Sequence, residues 1–153
     1  MSESMDPEAR TVIRELADIE TIRQLKARYF RCLDTNLWDE LLDCFTEDAV
    51  LAEHERNIYV EGGKSIIELL KQGLGMDHIL TVHQGHNPEI ELTSDTTARA
   101  RWAFNDFMLN RQSNKGSRGY GSYEDGYVKT NGGWKISSCT VTHIHKEKFI
   151  TDI

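Results

Sequence analysis

Residues 22–45 read IRQLKARYFRCLDTNLWDELLDCF. Ile22, Leu25, Tyr29 and Leu33 recur at three- and four-residue steps, the spacing of one helical face. The same pattern runs back through Val12, Ile13, Leu16 and Ile19 to Pro7, a residue suited to a first helical turn, with Asp6 as a candidate cap. Thr35 and Asn36 break the pattern near Leu33. Trp38, Leu41, Leu42 and Phe45 then mark a second short helix over residues 37–45. The pattern predicts two helices joined at a polar kink, with Tyr29 and Asp34 turned inward where apolar side chains ordinarily sit.

Outward from this stretch the pattern changes. Ala49-Val50-Leu51 opens a strand after a turn at Glu47-Asp48, and residues 57–60 suit its hairpin partner. Gly62-Gly63 leads into a third helix carrying Ile66, Ile67, Leu69 and Leu70, with Gly73 and Gly75 as stop signals. The remainder alternates as strands do. Residues 79–86 form one, broken before Pro88. Residues 89–92 and 96–111 form a hairpin turning at Ser94-Asp95. Residues 119–129 and 134–148 form another, turning at Asn131-Gly132-Gly133. Helices followed by a run of strands predict an α+β domain. Helices packed on a strongly curved antiparallel sheet would make a cone-shaped α+β barrel whose mouth is a natural pocket.

The bulk numbers narrow the function classes. A chain of 153 residues fits one domain, spanning 1–153, with residues 1–8 expected to be flexible. The net charge of −7 is spread along the chain, leaving no basic patch for nucleic acid. No apolar run approaches the roughly 18–20 residues of a membrane span. The first ten residues, MSESMDPEAR, lack the basic and apolar segments of a secretory signal. With Cys32, Cys44 and Cys139 at no metal-binding spacing, reduced thiols in a cytoplasmic protein are the expectation. No phosphate loop, dinucleotide fingerprint or nucleophilic serine motif is present, so no cofactor is implied.

Several polar residues occupy apolar settings. On the strand over 96–110, Ala98, Ala100, Trp102, Phe104, Asp106 and Met108 share one face. A carboxylate among them costs several kcal/mol unless paired, so Asp106 is either a rim residue near solvent or a pocket carboxylate. His83 lies mid-strand and is either a core histidine held by one hydrogen bond or a catalytic one. His83 and His86, three apart, fall on opposite strand faces, which disfavours a zinc pair. His143 and His145, two apart, share a face, but His-x-His alone is weak evidence for metal, and no metal is expected. Asp34 can end or cap its helix, and Tyr29 can pack in the core with its hydroxyl at a rim.

The blocks YFRCLDTNLWDELLDCF, VHQGHNPEIEL, ARARWAFNDF and GGWKISS resemble the SnoaL-like branch of the nuclear-transport-factor-2 superfamily, over about residues 19–149. Within it the chain looks similar to the bile acid 7-alpha-dehydratases and, more distantly, to the scytalone dehydratases. The resemblance implies a cystatin-like α+β cone, and places the family's catalytic tyrosine, aspartate, strand histidine and second aspartate on Tyr29, Asp34, His83 and Asp106. The family's last-strand arginine falls on His143, a departure that implies a different substrate tail. The resemblance also implies homo-oligomers, trimers or dimers.

This set would support a cofactor-free dehydratase acting on a small hydrophobic cyclic substrate, a steroid-like or polycyclic hydroxylated ketone or enone. Asp34 would orient His83 as general base. Tyr29 would donate to the developing enolate, Asp106 would help the hydroxyl leave, and His143 and Tyr123 would line the pocket as substrate-binding residues. Without a leaving hydroxyl the same groups would shift a double bond, as an isomerase does. A non-catalytic hydrophobic-ligand pocket and an assembly module, like the small subunits of ring-hydroxylating dioxygenases, are the other readings.

Overall fold

The computed structural model describes residues 6–151. Helix α1 spans Pro7–Asp34 without interruption. Pro7 and Glu8, expected to be flexible, therefore already belong to the helix, while residues 1–5 lie outside the described residues. Asp6 holds the N-cap position but makes no side-chain cap bond. The helix ends because Asn36 adopts a left-handed φ of 58°. This lets the amide of Leu37 reach back to the Cys32 carbonyl at 2.9 Å, the six-to-one bond that closes a helix C-terminus. Helix α2 is a single short segment, Trp38–Leu42.

Only the second half of α1 is buried. Ile22, Leu25, Tyr29, Phe30 and Leu33 enter the core, whereas Val12, Ile13 and Leu16 are 48–60% exposed. The amphipathic stripe continues in sequence beyond the sheet it packs on.

Strands β1 (Phe45–Glu53), β2 (Ile58–Glu61), β3 (Ile79–Leu92), β4 (Thr97–Asn110), β5 (Lys115–Thr130) and β6 (Gly133–Ile150) form one sheet in the order β2-β1-β6-β5-β4-β3. A 3-10 turn, His54–Arg56, links β1 to β2, and helix α3 (Gly63–Leu74) follows β2. The sheet is mixed and open. The expected all-antiparallel sheet is corrected at one seam, where β1 runs parallel to β6. The cause is the intervening excursion through α3 and the meander β3–β6, which returns the chain beside β1 in the same direction.

Strand β3 crosses Pro88 instead of stopping before it. A bulge between His86 and Glu89 absorbs the proline and the left-handed Asn87, φ 49°. Strand β6 carries two extra residues against β5. The register passes from Tyr127–Ile136 to Gly126–Ser138, and from Gly121–His143 to Tyr120–His145, so Ser137 and Ile144 are bulged. Each bulge inverts the inward-outward phase of the residues beyond it.

Beneath α1, the core contains a charge pair that its apolar pattern hides. Lys26 Nζ lies 2.8 Å from Asp125 Oδ2, both side chains having no exposure. This is an ion-pair contact without the geometry of a directed hydrogen bond. The ammonium also lies 3.8 Å from the Tyr123 ring centre and 4.4 Å from that of Tyr29, in a cation–π arrangement. Asp125 accepts the Tyr127 hydroxyl at 2.7 Å, and that oxygen accepts from Trp102 Nε1 at 3.1 Å.

Candidate active site

Asp34, the last residue of α1, meets β3 side-on. Its Oδ1 lies 2.6 Å from His83 Nδ1 and accepts the Thr81 hydroxyl at 3.0 Å, while Oδ2 accepts the His83 backbone amide at 2.7 Å. Three contacts fix the carboxylate, and its bond to Nδ1 fixes the imidazole, leaving Nε2 as the nitrogen available to a substrate. Gly85, two residues on and facing the same way, has no side chain because the Phe30 ring occupies the space. A Cβ there would lie 2.4 Å from Phe30 Cε2. Thus α1 seats closely on β3 and delivers Asp34 to His83.

Asp106 is the register partner of His83 across the β3–β4 ladder. It faces inward on β4, as the alternation predicts, and His143 Nε2 on β6 lies 3.3 Å from its Oδ2. Strand β5 runs between β4 and β6, so the two side chains start about 9–10 Å apart. They meet because the β5 residue opposite Asp106 is Gly119. A Cβ at Gly119 would stand 2.4 Å from Asp106 Oδ1 and 2.9 Å from His143 Cδ2. On its other side, His143 Nδ1 is 3.4 Å from Glu53 Oε1, at the end of β1. Asp106, His143 and Glu53 are each largely buried, with side-chain exposures of 11–18%.

The bulge at Ile144 changes one sequence-based expectation. His143 and His145 do not share a face. His143 packs edge-on against Phe104 inside, whereas His145 stacks on Tyr120 on the exposed outer surface. Beyond the bulge, Lys146 is brought inward opposite Gly119, at the cavity mouth.

These groups surround a cavity of about 560 Å³, within the usual range for small-molecule sites. Tyr29, Tyr123, Thr81, His83, Asp106, His143 and Glu53 line its polar wall, and Leu33, Leu51, Leu69, Leu70, Met108 and Val141 its apolar one. Arg56 and Lys146 border it as well. Burial, foremost, and the facing phenol hold the Tyr29 hydroxyl well above its ordinary pKa. Burial with the nearby Cys139 and Asp125 does the same for Tyr123. Both tyrosines therefore keep their protons at neutral pH.

Of the six residues singled out in the sequence, Tyr29, His83, Asp106, Tyr123 and His143 border this one cavity. Asp34, the sixth, lies behind His83 and holds it. Glu53 and Gly119 were missed. Glu53 ends a strand whose exit the pattern did not mark, and a glycine signals a close approach only once its neighbours are known. Among the described residues, Glu53, Glu55 and His143 are the group whose donor atoms lie within 4.8 Å of one another, close enough to share a cation. Glu55 is exposed.

This fold and this cavity fit the family that the sequence matches: the chain belongs to the SnoaL-like domain family, whose profile covers residues 14–140. Among solved structures it is similar to a provisionally assigned scytalone dehydratase from Novosphingobium aromaticivorans, at 24% identity over 92% of this chain and 93% of that one, with a TM-score of 0.83. It is also similar to the hexachlorocyclohexane dehydrochlorinase LinA-type3 from Novosphingobium barchaimii LL02, at 16% identity over 92% and 95%, with a TM-score of 0.80. At these identities the likeness is one of fold, the open helix-capped cone. Among the described residues, no helix is long and apolar enough to cross a membrane.

Proposed function

We propose that the protein is a cofactor-free lyase that removes water from a small, hydrophobic, hydroxylated cyclic ketone or enone. The observation that carries this reading is the His83–Asp34 contact of 2.6 Å on the wall of a largely apolar cavity that also holds two buried tyrosines. In the proposed reaction, His83 Nε2 takes the acidic proton beside the carbonyl, and Asp34 stabilises the imidazolium that forms. Tyr29 and Tyr123 supply hydroxyl donors at the wall where enolate charge develops. Asp106, register partner of His83, assists departure of the hydroxyl. The resemblance to bile acid and scytalone dehydratases, and the lyase activities named for the structural neighbours, support the same class.

Exposed Val82, Tyr120 and Ile144 lie on β3, β5 and β6 and offer an apolar surface for the homodimer or homotrimer that the resemblance implies. The test of function is turnover of a panel of hydroxylated fused-ring ketones, followed by the absorbance of the conjugated product. His83→Ala and Asp34→Asn should each lower the rate by roughly 10²–10⁴-fold, the usual worth of a positioned general base. Undiminished turnover in a folded His83→Ala protein would exclude this role.

A further inference from the structure

The two histidines of the cavity stand in opposite hydrogen-bonding situations. His83 has one carboxylate neighbour, Asp34 on Nδ1, which leaves Nε2 for substrate. His143 has a carboxylate oxygen beside each ring nitrogen, Glu53 at 3.4 Å from Nδ1 and Asp106 at 3.3 Å from Nε2. A neutral imidazole has one N–H and one lone pair. Between two ionised carboxylates it would satisfy one and turn its lone pair toward the other. The arrangement is favourable only when the three groups together hold one further proton.

We propose that Glu53, His143 and Asp106 form a proton relay that supplies the acid for the elimination. The residue standing where the resemblance has a substrate-binding arginine thus moves a proton instead. This rests on the dehydration reading and assigns its missing half.

The C–H bond beside the carbonyl breaks, with the proton going to His83 Nε2 and the electron pair into the enolate. The enolate re-forms the carbonyl as a carbon–carbon double bond is made and the C–O bond to the hydroxyl breaks. As the C–O bond breaks, the Nε2 proton of His143 passes to the Asp106 carboxylate, and Asp106 delivers a proton to the departing oxygen, which leaves as water, so that Asp106 is a carboxylate again and His143 is neutral. His83 gains one proton and the relay loses one, so exchange with solvent at the open mouth restores both. Asp106, directly opposite His83, is the catalytic residue of the relay. Glu53 is a positioning residue that holds the imidazolium.

Besides its own three members, charged and titratable groups lie around this relay on several elements: Glu55 and Arg56 on the 3-10 turn, His83 on β3, Tyr123 on β5 and Lys146 on β6. Tyr29 adds a phenol from α1. Arg56 contacts Glu53 at Oε2, 3.3 Å away, while Oε1 of the same carboxylate faces the His143 ring.

Two measurements on the full-length protein test the proposal, and the first needs no substrate. Nitrogen-15 NMR of histidine-labelled protein, assigned by difference from His143→Gln, should show both ring nitrogens of His143 protonated at neutral pH. In Glu53→Gln one of the two should lose its proton. A wild-type His143 with one bare nitrogen overturns the relay. The second compares a fused-ring β-hydroxyketone with its β-chloro counterpart, whose chloride leaves without a proton. His143→Gln should slow water loss by roughly 10²–10⁴-fold and chloride loss far less, with the loss in kcat and not in KM. Equal losses on both, or a change confined to KM, would return His143 to substrate binding and sink the proposal. Activity abolished by chelation and restored by a divalent cation would overturn it too, in favour of a metal held by Glu53, Glu55 and His143. His83→Ala should suppress both eliminations. If it suppresses neither, the dehydration reading itself fails, an outcome distinct from failure of the relay.

Discussion

Replacing Lys26 by methionine is the most informative stability experiment on this fold. Methionine keeps an unbranched stem of similar length while removing the ammonium that lies over the rings of Tyr29, Phe30 and Tyr123, so the change isolates charge from volume. Asp125 would then be a carboxyl group with no exposure, keeping the Tyr127 hydroxyl at 2.7 Å but losing its cation at 2.8 Å. Breaking a buried pair from one side typically costs about 3–5 kcal/mol. Asp125→Asn should cost a similar amount from the other side while preserving an oxygen for Tyr127. For a chain of this length such losses lower the thermal midpoint by about 6–20 °C. In the double variant neither charge of this pair is left in the core, and stability should return to within about 2 kcal/mol of the parent. The assay is urea unfolding followed by far-ultraviolet circular dichroism, at one fixed protein concentration because subunit association would add its own term. Single-variant losses that simply add in the double variant, to within about 0.5 kcal/mol, would show that the two charges do not interact. The core would then have to admit water at this point.

The cavity floor and the outer end of the helix–sheet contact each offer a simpler test. Gly119→Ala places a methyl 2.4 Å from Asp106 Oδ1. It should cut turnover by roughly 10²-fold through misplacement alone, with the circular dichroism spectrum retained; full activity would deny that the β4–β6 contact matters. Asp18 is desolvated, which raises its pKa, but hydrogen bonds from Lys129 at 2.7 Å and Trp134 at 2.8 Å outweigh this and hold it below the ordinary 3.8. Its contribution to stability is therefore complete above pH 3.8 and is lost as pH falls through the lowered folded value. Asp18→Asn should flatten that part of the acid-unfolding curve, as read from urea midpoints between about pH 5 and 2.

The local periodicities were legible because they report on faces. The helix over Ile22–Leu33 and the inward set Ala98 to Met108 both come from spacing alone, and Asp106 stood out because it broke the second. The resemblance then placed Tyr29, Asp34 and His83 together with it, as the structure does around one cavity. The features that stayed hidden depend on partners far apart in sequence. Lys26 looks like one more surface lysine until Asp125 is found beneath it. Gly119 has no signal of its own, because its role is to leave room between two other strands. Bulges at Ser137 and Ile144 shift phase by one residue, which is why simple alternation paired His143 with His145. The parallel seam between β1 and β6 is likewise a matter of chain return, which no local pattern encodes.

Ile144 is a spare residue in the last strand. His143 stands opposite Gly121 and His145 opposite Tyr120, so Ile144 has no partner of its own on β5. His143 and Lys146, three apart in sequence, consequently both border the cavity. In a regular strand the loss of one residue turns every later side chain to the other face. Here the loss of residue 144 would only complete the ladder, leaving His143 and Lys146 two apart and both still inward. The stretch of β6 between the buried histidine and the lysine at the entrance can therefore shorten by one residue without reorienting either.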